Sequence, residues 1–507
     1  MFDLASMAQG LDLLFSSPTA WVVAPVGIII GLIFGAIPGL SVPIAMAVFL
    51  PLTLYMDFLE SIIFLTAIFT GGSCGCSIPA ILMNVPGTSA AVATCFDGYP
   101  MARQGQHNRA LGVALASSTI GCAIGYFTLL GILEPLSGFV LKLGAPELFL
   151  VALTGILLIA LVTEGNFWKA VLAGCVGILL SLIGMSSAGI ERGTFGSIYL
   201  LDGIDPNAAI IGIFAASELF QLVKSDYIVR DEGKRHVSIR EIIGGMLYVR
   251  KIPRTVFTGS VIGAGLGVVP GVGSSIANIV SYTFARNLSN DPQSYGKGNP
   301  NGVAAAESAS SSSEGGSMVG LLALGLPSSA ATAIMLSAFA MHNITGGPRF
   351  ISDQKEIVYA IIAGNLLQAV MLVFIGLVFF RIAVYLVRVP VAWLLPPIIV
   401  CTVLGSYALS NSLNGPVTLV VFSALGVLMK RYNYSVVAAV IGLLLGLMME
   451  GNLVRTWQLG GDSLWPIVER PISLTIIAII IASGVGMYFF AKRRQTMNLP
   501  ETPISAG

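Results

Sequence analysis

Apolar runs near 20 residues recur from one end of this chain to the other, and each is long enough to cross a bilayer as a helix. Of the 507 residues, 55% are hydrophobic and 10% are charged, and the mean hydropathy is +0.87. A soluble domain carries about 25% charged residues. The chain therefore reads as an all-α polytopic membrane protein with no room for a soluble domain. Spans are expected near 19–37, 60–82, 110–133, 146–163, 170–187 and 208–224. After a charged loop they resume near 255–272, 303–325, 356–380, 391–410, 416–429, 434–449 and 471–491. The N-terminus lacks a basic leader region, so no cleavable signal peptide is expected.

Two pairs of segments repeat across the chain. GLIFGAIPGLS from Gly31 answers to GAGLGVVPGVGSS from Gly263, and GCSIPAILMNVPGTSAA from Gly75 answers to GSMVGLLALGLPSSAA from Gly316. Gly31, Gly35, Pro38 and Gly39 align with Gly263, Gly267, Pro270 and Gly271, and Pro86 aligns with Pro327. The copies are not perfect. From Gly31 to Pro86 is 55 positions and from Gly263 to Pro327 is 64, the excess lying in the polar loop NDPQSYGKGNPNG. Four segments, 40–56, 85–98, 274–288 and 327–342, are broken by Pro, Gly and Ser and read as re-entrant hairpins. Such backbone survives at membrane depth only inside protein or around a wet cavity. Paired, interrupted apolar segments of this kind point to the central site of a secondary transporter.

Charge sets the expected orientation. No Lys or Arg precedes Arg103, whereas eight fall between Lys224 and Arg254, and Lys492, Arg493 and Arg494 follow the last span. The positive-inside rule puts the middle loop and C-terminus in the cytoplasm and the N-terminus outside. Span 19–37 then enters from outside and span 255–272 from inside, so the halves form two inverted-topology repeats. The expected division is a first repeat 1–224, a cytoplasmic basic linker 225–254, a second repeat 255–492 and a cytoplasmic tail 493–507.

The broken segments supply candidate chemistry. Proline removes a donor and glycine admits positive φ, so Pro38–Gly39 and Pro270–Gly271 end helices inside the membrane. Freed carbonyls there are candidate cation ligands, which assigns Gly35, Pro38, Gly39, Gly267, Pro270 and Gly271 to cation binding. The glycine pairs alone also suit close helix packing. Freed amides and nearby hydroxyls suit an anion, which assigns Ser41, Asn84, Pro86, Gly87, Thr88, Ser89, Ser274, Ser275, Pro327, Ser328 and Ser329 to substrate binding. Glu307 and Glu314 lie seven apart, on one helical face, and are read either as a proton or cation site or as the polar tip of a linker. Asp97 and Arg103 are expected in a membrane-edge loop, and Glu218 is a weak candidate for a bundle interior. Cys74 and Cys76 are expected to pack as small residues. No catalytic residue, resident metal or nucleic-acid signature is expected. With no P-loop, zincin or hydrolase motif, the chain is not expected to be an enzyme.

These residues resemble the large membrane subunit of the tripartite tricarboxylate transporter family. The motifs GAIPGLS, SIPAILMNVPGTSAAVAT, DGYPMARQG and ALGVALASSTIG carry the resemblance in the first half. LLDGID, FAASE, GAGLGVVPGVG, LLALGLPSSAATA, GGPRF, MMEGNLVR and ERPIS extend it over nearly the whole chain. The resemblance implies a cation-coupled importer of small di- or tricarboxylates in a bacterial inner membrane, using Na⁺ or H⁺ and an elevator-like cycle. It implies two partners, a small four-helix membrane subunit and a periplasmic solute-binding protein. No cofactor is expected beyond Na⁺ as a candidate coupling ion. A passive channel or structural membrane component is the alternative from another class. The family's two asparagines after the second-half glutamate, its second P-G-S, its P-G-P and its G-G-S are here Ser310–Ser313, Pro327–Ser328–Ser329, Gly346–Gly347–Pro348 and Gly75–Cys76–Ser77. Those departures fall at the expected site and bear on substrate specificity.

Overall fold

A computed structural model describes residues 3–37, 40–140, 142–162, 167–186, 189–217, 237–270, 272–386 and 391–478. Apart from one short β hairpin, the regular structure described is helical, as expected. The first half runs α1 (Leu4–Ser16), α2 (Pro18–Ala36), α3 (Val42–Phe49), α4 (Phe58–Gly75), α5 (Ser77–Met83), α6 (Val92–Arg103), α7 (His107–Val140), α8 (Ala145–Val162), α9 (Phe167–Ser181) and α10 (Pro206–Ile210). The second half runs α11 (Ile239–Tyr248), α12 (Pro253–Val268), α13 (Gly273–Asn287), α14 (Pro300–Val319), α15 (Ala330–Met341), α16 (Pro348–Asp353), α17 (Lys355–Leu386), α18 (Val391–Ser410), α19 (Asn414–Arg431), α20 (Val436–Leu459) and α21 (Pro466–Glu469). Five stretches among the described residues are long and apolar enough to cross a membrane: Pro18–Ala36, Phe58–Met83, His107–Leu133, Lys355–Ile382 and Val436–Leu459.

Local chemistry explains where these helices begin and end. Ser17 caps α2 by accepting from the Ala20 amide, and Asp57 and Glu60 form a capping box at the start of α4. Helix α2 stops at Ile37, which is extended (φ −96°, ψ 116°) because the next residue is Pro38. Helix α12 stops in the same way at Val269 (φ −78°, ψ 120°), before Pro270.

Packing depends on residues without a side chain. A Cβ on Gly31 would lie 2.2 Å from the Ile68 carbonyl oxygen, so α2 meets α4 backbone to backbone. A Cβ on Gly263 would lie 2.1 Å from the Ala309 carbonyl oxygen, so α12 meets α14 in the same manner. The partner helices reciprocate through Gly71 against Ile28 and Gly316 against Ala264. Helix α14 also crosses into the first half, where Gly121 and Gly125 of α7 seat the carbonyls of Ser308 and Ser312. Each half lends a helix to the other's long one: α1 packs on α17, and α11 packs on α7.

Three features depart from the sequence expectation. Residues 239–248 of the expected linker form a packed helix, with Gly112 under Ile242 and Gly245 under Arg109. A two-stranded hairpin, β1 (Gly184–Met185) with β2 (Glu191–Arg192), follows α9. Arg192 reaches Glu450 of α20 through two bonds, at 2.7 and 2.9 Å, which anchor it. Asp97 lies on helix α6, fully buried, and not in a loop. Pro38, Gly39, Glu218, Gly271, the linker up to residue 236, most of the expected span 471–491 and the tail lie outside the described residues.

Candidate functional site

The two proline turns have the same backbone. Asn84 closes α5 in the left-handed region (φ 59°, ψ 26°), and Gly325 closes the π-helical turn Gly320–Leu324 that extends α14 (φ 67°, ψ 21°). Two residues after Asn84 comes Pro86, and two after Gly325 comes Pro327. The chain then turns extended at Thr88 (φ −144°, ψ 168°) and at Ser329 (φ −150°, ψ 170°) before the next helical segment. A left-handed residue ends one helix, proline forbids its continuation, and a hydroxyl residue starts another. Ser329 completes a capping box with Thr332, accepting from its amide at 3.3 Å. Gly87 needs its missing side chain, because a Cβ there would sit 2.5 Å from the Gly35 carbonyl oxygen. The two motifs of the first half thus touch each other at that point.

Both turns open on one cavity of ≈ 300 Å³. Ser41, Thr88 and Ser89 line it from the first half, and Ser274, Ser275, Ser328 and Ser329 from the second. Ser73 adds a further hydroxyl, while Phe69, Pro43 and Val437 supply apolar wall. Four helical segments begin at this wall: α3 after Ser41, the 89–91 turn leading into α6, α13 at Gly273, and α15 after Ser329. No charged side chain is among the described residues that line it. The halves meet there through the Ser89 and Ser275 hydroxyls, 2.5 Å apart. Asn278 donates its side-chain amide to the carbonyl of Ala90. Ser328 is buried in the wall and its hydroxyl has no partner among the described residues.

The remaining candidates lie nearby but not on this wall. Asn84, Pro86, Gly87 and Pro327 shape the turns behind it. Gly35 and Gly267 lie at the close contacts of α2 with α4 and α12 with α14, a Cβ on either falling 2.6 and 2.3 Å from the carbonyls of Gly72 and Ser313. The Gly267 carbonyl accepts the Ser317 hydroxyl at 3.3 Å, and Pro270 follows the end of α12.

Glu307 and Glu314 are fully buried within α14, which excludes the reading as a linker tip. Thr94 and Ser118 donate to the two oxygens of Glu307, at 2.5 and 3.0 Å. Thr70 and Tyr126 both donate to one oxygen of Glu314, at 2.6 and 2.9 Å. Every donor belongs to the first half. No group of three or more His, Cys, Asp or Glu side chains suited to a metal ion occurs among the described residues.

A family model described as the tripartite tricarboxylate transporter TctA family matches residues 22–441. The chain belongs to this family. A TctA-family chain of this build is a multi-pass membrane protein, the membrane subunit of a tripartite tricarboxylate transporter, which works with other subunits. It is 32% identical over 464 residues, 91% of each chain, to an uncharacterized 52.8 kDa protein in the TAR-I ttuC′ 3′ region of Agrobacterium vitis. It is 30% identical over 217 residues to a second uncharacterized protein, in the TAR-II ttuC′ 3′ region of the same organism, covering 43% of this chain and 90% of that one. No solved structure matches it.

The TctA-family fold also explains the acidic residue of the DGYP run. Asp97 Oδ1 accepts the backbone amides of Gly296, Gly298 and Asn299 at 2.9, 2.9 and 2.7 Å, and Oδ2 accepts the Tyr282 hydroxyl at 2.9 Å. The extra loop of the second half is thereby held by the first half, just before Asn299 caps α14. Asp97→Ala strands three amides that had a charged acceptor. At about 1.5–3 kcal/mol for each such bond, a loss of at least ~3 kcal/mol is expected, read as a lower thermal midpoint of the detergent-solubilised protein. An unchanged midpoint would mean that the loop is held by other contacts.

Proposed function

We propose that this chain is the translocating subunit of a secondary active importer of small di- and tricarboxylates, driven by a Na⁺ or H⁺ gradient. The observation that carries the reading is the cavity where eight serine and threonine residues from both halves converge on four helix beginnings. Hydroxyls and free amides donate to carboxylate oxygens, and helix N-termini favour negative charge. The cavity also sits at the small end of the size range of small-molecule sites.

Magnitudes favour coupling. Each helix beginning contributes about 0.3–1 kcal/mol to an anion and up to ~2 kcal/mol in partly buried geometry. Desolvating each carboxylate costs several kcal/mol, so at the usual ~0.3–1 kcal/mol four helix beginnings alone do not offset a di- or tricarboxylate. Cations bound with the substrate make up the difference. The carbonyls around Gly35, Pro38, Gly39, Gly267, Pro270 and Gly271 are the proposed seats for Na⁺.

The matched turns, and the reciprocal packing of α1 on α17 and α11 on α7, support two inverted repeats. On this reading the N-terminus is periplasmic and the C-terminus cytoplasmic in a bacterial inner membrane. A small four-helix subunit and a periplasmic binding protein complete the importer, and the site crosses the membrane by an elevator-like movement. The test is uptake of radiolabelled di- and tricarboxylates into proteoliposomes holding the chain with its partners. Accumulation above the external concentration under an imposed Na⁺ or pH gradient is expected. Equilibration without accumulation would instead make the chain a passive channel.

A further inference from the structure

The substrate cavity does not use the carboxylates of α14, and the two differ. Glu307 has a hydroxyl donor on each oxygen. Glu314 receives both its donors, from Thr70 and Tyr126, on Oε1. Its Oε2 is buried with no hydrogen-bond partner among the described residues. Ser310, one turn earlier on the same helix, carries another buried oxygen with no partner among the described residues. The titratable groups facing Glu314 are Tyr126 and Cys122 of α7, with Glu307 two turns back on its own helix. Helix α4 presents Thr70, and α12 carries no charged residue beyond Arg254 in its first turn. No described Lys, Arg or His pairs with Glu314.

An ionised carboxylate in such surroundings needs a positive charge, and one bare oxygen offers a single place for it. One hydrogen bond and one helical turn connect Glu314 to the cavity wall. Thr70, which holds Oε1, lies one turn of α4 from Ser73, which lines the cavity.

We propose that Glu314 takes up and releases a coupling proton of the transport cycle through its bare carboxylate oxygen, beside Thr70, which lies one turn of α4 from the cavity-lining Ser73. The inference rests on the secondary-transport reading above. It separates Glu314, which titrates, from Glu307, which braces α14 against α6 and α7.

The experiment uses the chain reconstituted with its partner subunits, loaded with unlabelled carboxylate or empty, under a pH gradient alone or a Na⁺ gradient alone. Glu314→Gln keeps the size and removes the exchangeable proton. It is expected to lose accumulation driven by the pH gradient while retaining carboxylate exchange in loaded vesicles. Glu314→Asp and Glu307→Gln are expected to keep the pH-driven accumulation. Tyr126→Phe, which removes one donor from Oε1, is expected to move the pH at which uptake is half-maximal. The proposal is overturned if Glu314→Gln accumulates substrate under a pH gradient as the parent does, or if Tyr126→Phe leaves the profile in place. A parent protein driven by Na⁺ and indifferent to pH overturns this proposal and leaves the transport reading standing. A parent protein driven by neither gradient overturns both.

Discussion

Ser274→Asp is expected to weaken carboxylate binding by roughly a hundredfold while the protein still folds. Ser274 lines the cavity at the start of α13 and is only half-buried, so a slightly larger polar side chain can be accommodated. A second negative charge about 5 Å from a bound carboxylate costs ~3 kcal/mol at an effective dielectric of about 20. That is about two powers of ten in affinity. Ser274→Asn has the same shape without the charge and is expected to stay within a few-fold of the parent. Substrate-dependent thermal stabilisation of the purified complex, with uptake in proteoliposomes, measures both. Equal affinities for the two variants would take the cavity out of anion recognition.

A large effect on folding is expected at Gly263. A Cβ at this position falls 2.1 Å from the Ala309 carbonyl and 2.1 Å from the Ser312 hydroxyl oxygen. The first of these is backbone and cannot rotate away, so Gly263→Ala forces α12 off α14. Overpacking of this kind costs about 1–3 kcal/mol, and more where backbone is involved. The expected result is little monodisperse protein after solubilisation. Gly265, two residues along the same helix, is the control, because a Cβ there meets nothing within 4 Å. Gly265→Ala should be neutral or stabilise by up to ~1 kcal/mol through helix propensity alone. Similar yields of the two variants would mean that α12 does not depend on this contact.

Much of the candidate site's backbone was legible because its signals are properties of the chain itself. Proline at 38 and 270 ends the preceding helix whatever surrounds it, and Ile37 and Val269 are extended accordingly. The short segments at 274–288 and 327–342 became the helices Gly273–Asn287 and Ala330–Met341. The donors to the buried carboxylates were not legible. Thr70, Thr94, Ser118 and Tyr126 are single hydroxyls in apolar helices, and only tertiary packing brings them to residues about 190 to 240 positions away. Asp97 was missed for the same reason, since its partners are amides of a distant loop. Helix 239–248 did have a signal. Ile239, Ile242, Ile243, Met246 and Leu247 repeat at helical spacing behind the cap Ser238, but the basic residues on both sides made the stretch read as a loop.

The hydroxyl–carboxylate bonds of α14 have a mechanical consequence. Helices α4, α6 and α7 all place donors on it, and α6 also grips the loop that leads into it. Prising the chain open along that seam would leave two carboxylates facing a dry gap with nothing to replace the lost hydroxyls. The cheap displacement keeps the seam shut and moves α4, α6, α7 and α14 as one body. Under the elevator-like movement proposed above, the strain of each passage would fall on the outer helices and on the connections to them, and the seam would cross the bilayer undistorted.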